Sequence, residues 1–331
     1  MAQGILAIGE LNEDSSLASV TGELLAVARK LAGVMGTQVS LVLLGKNASQ
    51  RAKEAIALGA DKVWVSEAEV LHDNQIEAHL AALAQVCKAA DPQVIVAGKS
   101  FLGRDLAPRL AFRLGVPLMQ DCTDVNADPA TKRVVAVRPV YGGNANAKVA
   151  SPADPQFVCV RPKAFEALAP SPSRQGEVVQ APVSVDASVV KVKRVQRVKE
   201  EATGVKLEDA RVVVSVGRGI GGPEALPAFR DLAKSMGAAL GASRAVVDAG
   251  WLDHSYQVGL TGKTIAPEIY LTWAISGASQ HLAGCTAAKN IIAVNKDPNA
   301  NIFKESKFGV VGDWKKVLPG FVAALKDLTS A

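Results

Sequence analysis

Apolar residues in the first third of the chain fall in short runs separated by stretches with helical spacing. Ile5–Ile8, Val39–Leu44, Lys62–Val65 and Val94–Ala97 are brief and aliphatic, as strands buried on both faces are. Between them, Leu17–Leu31, Ser49–Leu58 and Ile76–Ala89 repeat apolar positions at helical period, and Gly98–Asp105 leads into a further helix through Leu114. The alternation predicts a parallel sheet with right-handed crossovers. After Pro117 the rhythm changes. Val134–Val140, Ala147–Ala150 and Phe157–Val160 lack intervening helices and are expected to be antiparallel strands finishing the first domain. Ala167–Pro172 and Gln175–Pro182 read as loops, Val183–Val198 as extended, and the polar stretch Lys199–Asp209 as a linker. A second βα series begins at Arg211, with apolar runs at Val212–Val216, Ala238–Leu240, Glu268–Ile275 and Asn290–Val294.

A length of 331 residues exceeds the usual single core, so two domains are expected. With 49% hydrophobic and 21% charged residues the chain is not of the disordered class, and with 5% aromatics its cores must be built from Ala, Val, Leu and Ile. The net charge of +5 does not point to nucleic acid. The one dense basic stretch, Lys191–Lys199, is interleaved with valines and reads as the solvated side of a strand. A modest positive balance can steer docking to an acidic partner. Cys87, Cys122, Cys159 and Cys285 show no CxxC spacing, so neither a metal centre nor a disulfide framework is expected. No signal-like start and no apolar run long enough for membrane insertion is visible.

The polar residues that follow the strands of the second series carry the candidate chemistry. Gly217-Arg218-Gly219-Ile220-Gly221-Gly222 matches GxGxxG after a strand, and Pro223 suits a first helical position. The next strand ends in Ser243-Arg244 instead of the acidic residue that holds a ribose, which argues against an ordinary NAD site. A structural turn and a cofactor loop fit the glycines equally well. Arg244 is either a surface residue on a turn or a ligand cation. In Gln257–Lys263, Gly259 and Gly262 permit close backbone approach on either side of the Thr261 hydroxyl. Ser276-Gly277-Ala278-Ser279-Gln280-His281 joins a strand to a helix start, where free N–H groups attract anions. His281 has no second His at ligand spacing and reads as a cap or partner-facing residue before a catalytic acid. Asn295-Lys296-Asp297-Pro298 and Gly312-Asp313-Trp314 are turn formers by composition. Gly103–Arg109 looks like a phosphate loop but is read as a cap with an internal salt bridge, and Tyr141–Asn144 as a turn. No nucleophile elbow, Walker loop or HExxH is present.

Taken in order, the pieces GRG, GASRAVVDAG, QVGLTGK, APEIYL, ISGASQHLAG, IIAVNKDP and FGVVGDW closely resemble the C-terminal domain of electron transfer flavoprotein α subunits. The likeness runs from about Arg211 to the C-terminus and is looser before it. It implies an α/β protein with an N-terminal mostly parallel domain carrying added antiparallel strands (residues 1–204, contacting a β subunit). A C-terminal Rossmann-like domain (residues 205–331) would bind FAD. By resemblance Arg244 lies against the isoalloxazine, Ser243 near the phosphates, Thr261 at the flavin N5 region and Gln280 on the ribityl chain. His281 meets the pyrimidine edge with a partial positive charge, and Asn295 and Asp313 serve the adenosine end. Arg218, Gln257, Val258, Gly259, Gly262, Ser276, Gly277, Ala278, Ser279 and Trp314 complete the implied cofactor set, while Lys263 is structural. Leu260 stands where many relatives carry Gln, and Ser279 and Trp273 replace aliphatic residues, Trp273 reading as core filler.

The resemblance further implies an electron carrier without its own substrate turnover, heterodimeric with a β subunit that holds AMP or a second FAD. It takes electrons from flavin dehydrogenases such as acyl-CoA dehydrogenases of fatty acid β-oxidation and passes them to a quinone oxidoreductase or similar acceptor. The implied setting is bacterial cytoplasm, or the mitochondrial matrix for a mature eukaryotic form. The rival reading from the residues alone is an NAD(P)-dependent oxidoreductase in which Arg244 meets a 2′-phosphate.

Overall fold

Short aliphatic runs alternating with helices become, in the computed structural model, two separate parallel sheets. The structure describes residues 4–73, 75–100, 102–143, 145–192, 195 and 205–329. The chain divides into two compact units, Met1–Arg197 and Val198–Ala331.

In the first unit the order is β1 (Ile5–Ile8), α1 (Ser19–Met35), β2 (Val39–Leu44), α2 (Ala48–Ala57), β3 (Lys62–Ser66), α3 (Ile76–Ala90), β4 (Val94–Gly98) and α4 (Gly103–Leu114). There follow β5 (Leu118–Cys122), β6 (Asp124–Ala127), β7 (Val134–Val140), β8 (Ala145–Ala150), β9 (Gln156–Val160) and β10 (Glu177–Gln180). Seven strands form a parallel sheet in the order β10-β3-β2-β1-β4-β9-β5, and β6-β7-β8 form an antiparallel sheet. One face is covered by α1 and α2, with Leu24, Leu31 and Ala55 in its core; the other by α3 and α4, with Leu83 and Leu110.

Three expectations for this unit are corrected. Phe157–Val160 is not antiparallel: β9 inserts in parallel between β4 and β5. All five of its residues are buried, as a strand covered on both faces requires. Residues 177–180, expected to be loop, form the edge strand β10 against β3. The described part of Val183–Val198 is irregular, with a 3-10 turn at Ala187–Val189 where extended chain was expected. Residues 199–204 of the expected linker lie outside the described residues, while Leu207 and Ala210 are buried. The strands β5 and β6 carry no clear period-2 pattern and were not anticipated from the sequence.

The second unit contains β11 (Val212–Val216), α5 (Leu226–Ser235), β12 (Ala239–Ala242), α6 (Arg244–Asp248) and β13 (Ile269–Trp273). It continues with α7 (Ser279–Leu282), β14 (Ile291–Asn295), α8 (Ile302–Glu305), β15 (Phe308–Val311) and α9 (Trp314–Thr329). Its sheet is wholly parallel in the order β12-β11-β13-β14-β15. Numbered within the unit this is 2-1-3-4-5, the flavodoxin-like variant of the doubly wound fold. Phe229, Leu232, Trp273 and Leu318 fill one face and Val213, Ile265, Tyr270 and Ile302 the other. Trp273 is fully buried, its ring 5.6 Å from that of Phe229, so it serves as core.

No helix among the described residues is long and apolar enough to cross a membrane. The four cysteines are free and buried, and the described residues contain no cluster of metal-ligating side chains.

Candidate cofactor site

In the 2-1-3-4-5 sheet, the chain leaves β11 toward one edge and β13 toward the other, so their following loops diverge and open a crevice. A cleft of about 720 Å³ occupies that place, well within the range of small-molecule and cofactor sites. Gly217, Arg218 and Gly219 line it after β11; Ser243, Arg244 and Asp248 after β12; Ala274, Ile275, Ser276, Ala278, Gln280 and His281 after β13. Asn295, Asp297 and Ala300 close it beyond β14, and Gln257 to Thr261 form a further wall.

Close backbone packing holds these loops together. A Cβ on Gly217 would lie 2.1 Å from the Ala274 carbonyl oxygen, so the β11 loop can cross there only as glycine. Ala274 itself has φ of 55°, a left-handed conformation unusual for a residue with a Cβ, at the very end of β13. Gly277 has φ of 79°, and a Cβ there would meet the Ile302 nitrogen at 2.2 Å. The Asn295 side-chain amide donates to the Ile275 carbonyl at 2.8 Å and its Oδ1 accepts from the Asp297 N–H, tying the β13 and β14 loops to each other. The Leu260 N–H donates to the Gln280 carbonyl at 2.7 Å, and Gln257 Nε2 donates to Thr261 Oγ1 at 2.9 Å. Lys263 pairs with Glu208, the structural role expected of it.

Two guanidinium groups stand at the open side. Arg218 is exposed. The Arg244 side chain is 67% exposed and its Nε lies 3.3 Å from Asp248 Oδ2, one helical turn on. His281 behaves differently. Its ring is buried, Nε2 lies 2.8 Å from the Tyr270 hydroxyl, and Nδ1 has no partner. Burial pulls its pKa down to about 4, so the ring is neutral at pH 7.

Most of the residues singled out from the sequence therefore converge on one cleft: Arg218, Ser243, Arg244, Gln257, Val258, Gly259, Thr261, Ser276, Ala278, Gln280, His281 and Asn295. Five others do not line it. Gly262 and Gly277 act through backbone packing, since a Cβ on Gly262 would lie 2.3 Å from the Gln257 carbonyl oxygen. Ser279 Oγ donates to its neighbour Gln280 at 3.3 Å. Asp313 accepts from the Lys315 N–H at the start of α9, and Trp314 Nε1 donates to the Ile220 carbonyl while its ring packs 5.1 Å from Phe229. Sequence reasoning missed Asp248 and Asp297 as cleft residues. The spacing of Asp248 four residues after Arg244 on a helix was the available signal.

The donors suit a long cofactor with phosphates and an electron-rich ring: two cations at the mouth, hydroxyls of Ser243, Thr261 and Ser276 along the wall, and an unpartnered buried imidazole nitrogen. Comparison with known proteins agrees. The electron transfer flavoprotein domain model matches residues 5–186 and the electron transfer flavoprotein FAD-binding domain model residues 206–286. The chain is 40% identical over 316 residues to the electron transfer flavoprotein subunit alpha of Thermoanaerobacterium thermosaccharolyticum, covering 95% of this chain and 96% of that one. With the corresponding subunit of Megasphaera elsdenii it shares 41% over 327 residues, 98% of this chain and 96% of the other. It is also 35% identical over 308 residues to the lactate dehydrogenase (NAD(+),ferredoxin) subunit LctC of Acetobacterium woodii, covering 93% of this chain and 73% of that one. The chain belongs to the electron transfer flavoprotein α-subunit family and is an FAD-binding electron carrier, not an enzyme with a substrate of its own.

Proposed function

We propose that the cleft beyond β11–β14 is where FAD binds, with its isoalloxazine among Arg218, Arg244, Thr261 and His281. The observation that carries this reading is the convergence of those four side chains, from four separate loops, on a single cleft of cofactor size. FAD supplies the redox chemistry, accepting and releasing electrons at the isoalloxazine. The protein supplies charge, orientation and hydrogen bonds. Arg218 and Arg244 place fixed cations where negative charge accumulates, and Asp248 moderates the second of them. Thr261, steadied by Gln257, presents its hydroxyl beside the backbone of Val258 and Gly259. Asn295 keeps the β13 and β14 loops in place from beneath.

Transfer from flavin dehydrogenases is the family function. The proposal extends it to a heterodimer in which residues 1–204 meet a β subunit and residues 205–331 hold the cofactor, delivering electrons to a quinone oxidoreductase or similar acceptor. The absence of an acidic residue at the end of β12, where Ser243 and Arg244 stand, disfavours the NAD alternative. Absorbance and cofactor analysis of the co-expressed α and β chains test the reading. One FAD per α chain, held less tightly on substitution of Arg244 or His281, is the expected result; a colourless complex that refuses FAD overturns it.

A further inference from the structure

Beneath the cleft, Tyr270 on β13 is wholly buried among Leu207, Val213, Ile265 and Cys285. A hydroxyl in such a place needs a partner, because an unsatisfied buried polar group costs about 1–3 kcal/mol. It finds one in His281 Nε2 at 2.8 Å, with the two rings 6.1 Å apart and 23° from parallel. The phenol carries a single hydrogen. Among the described residues the phenolic oxygen meets Nε2, while the buried Ser215 hydroxyl on β11 makes no hydrogen bond. Nε2 is therefore the acceptor open to the phenolic hydrogen, which would otherwise be buried without a partner. A neutral imidazole whose Nε2 accepts must carry its own hydrogen on Nδ1. Nδ1 is the nitrogen left without a hydrogen-bond partner.

We propose that Tyr270 is a positioning residue of the redox site: its O–H donates to His281 Nε2, locks the imidazole in the Nδ1–H form, and so presents a fixed N–H donor to the electron-rich edge of the bound isoalloxazine. Without the phenol, the ring is free to offer a lone pair to the same edge. The inference rests on the reading of the cleft as the FAD site, and it assigns to a core residue that touches no cofactor a role in cofactor affinity.

The test uses the assembled α/β complex with Tyr270→Phe, His281→Ala and the double variant, measuring FAD dissociation constants by flavin fluorescence. With His281 present, Tyr270→Phe weakens FAD binding about tenfold, the effect of one lost orienting hydrogen bond. In the His281→Ala background the same change shifts binding by less than about twofold, because the group it positions is gone. Nitrogen-15 chemical shifts of His281 in the wild-type complex give a second measurement that needs no variant: Nδ1 protonated and Nε2 unprotonated support the inference. Equal loss in both backgrounds, or a hydrogen on Nε2, overturns it. If His281→Ala and Arg244→Ala both leave FAD affinity unchanged, the site reading itself fails. If they weaken it while Tyr270→Phe acts independently of His281, only the positioning role falls.

Discussion

The Arg244–Asp248 pair makes an electrostatic prediction with two signs. Both side chains line the cleft, 3.3 Å apart and 67% and 61% exposed. Exposure of that degree calls for an effective dielectric of roughly 40, between the surface-pair and bulk-water values. A guanidinium at roughly 6 Å from a ring that gains an electron then contributes roughly 1.4 kcal/mol, which is roughly 60 mV for a one-electron couple. With Asp248 taken one ion-pair length further from the ring, at roughly 9 Å, it opposes Arg244 by roughly 0.9 kcal/mol, or roughly 40 mV. Arg244→Ala should therefore lower the first one-electron potential of the flavin by roughly 60 mV, and Asp248→Asn should raise it by roughly 40 mV. The double variant should fall between them, and raising the salt concentration should shrink both shifts. The assay is a dye-mediated redox titration of the reconstituted complex at fixed ionic strength. Shifts of the same sign from the two variants, or a change under about 10 mV from Arg244→Ala, would refute the reasoning, because a charge at the ring cannot be silent at that distance.

Three further outcomes follow from packing and burial. Gly277→Ala forces a Cβ to 2.2 Å from the Ile302 nitrogen at φ of 79°; it should cost more than about 2 kcal/mol in urea unfolding and abolish FAD retention, and a variant that keeps both would deny the loop its structural role. Trp273→Ala empties the center of one core face and should lose roughly 3–5 kcal/mol by the same measurement, whereas a loss under about 1 kcal/mol would show that the site had collapsed to fill the void. Burial raises the Glu23 pKa to about 7, opposed by the Lys163 N–H that donates to its carboxylate at 2.7 Å. The folded chain therefore holds a proton that the unfolded chain gives up near its normal carboxyl pKa, and stability falls as pH rises from about 4.5 to about 7. Glu23→Gln should accordingly stabilise by roughly 2–3 kcal/mol at pH 8 and hardly at all at pH 4.5; a gain independent of pH would contradict the assigned burial cost.

The sequence displayed the second unit more plainly than the first. Its strands are mostly aliphatic runs such as Val212–Val216 and Ile291–Asn295, and they end where small and polar residues begin, so both the sheet and its ligand-bearing edge were readable. In the first unit, β9 has the length and Pro-flanked setting of a hairpin strand, and only its burial on both faces reveals a parallel neighbour on each side. Neighbours distant in sequence leave no local mark. The same limit applies to the site. Arg244 and His281 were recognisable by residue type, but the protonation state of His281 depends on Tyr270, eleven residues away, and on burial. Asp313 and Trp314 stand in a motif that suggests ligand contact, yet their polar groups meet the α9 backbone and the Ile220 carbonyl.

Why, among the described residues, the second sheet opens into a cleft of about 720 Å³ and the first into about 20 Å³ at its change of direction can be argued from the residues that follow the strands. The first sheet also changes direction, between β1 and β4. There Glu10 follows β1 and accepts from Ser100 Oγ at 2.7 Å, and Ser100 in turn accepts from the Gly103 N–H at the start of α4. Lys99 and Arg161 both clasp Asp121, at 3.0 and 2.8 Å. These side chains turn inward and meet one another, leaving about 20 Å³ beside Glu10 and His79, room for roughly one water. In the second sheet the corresponding positions are Gly217, Ala274 and Ser276, too short to span the gap, and the charged residues Arg218 and Arg244 extend toward solvent. Fold alone does not decide function; here the decision lies in whether the first residues past the strands fill the crevice or leave it to a ligand.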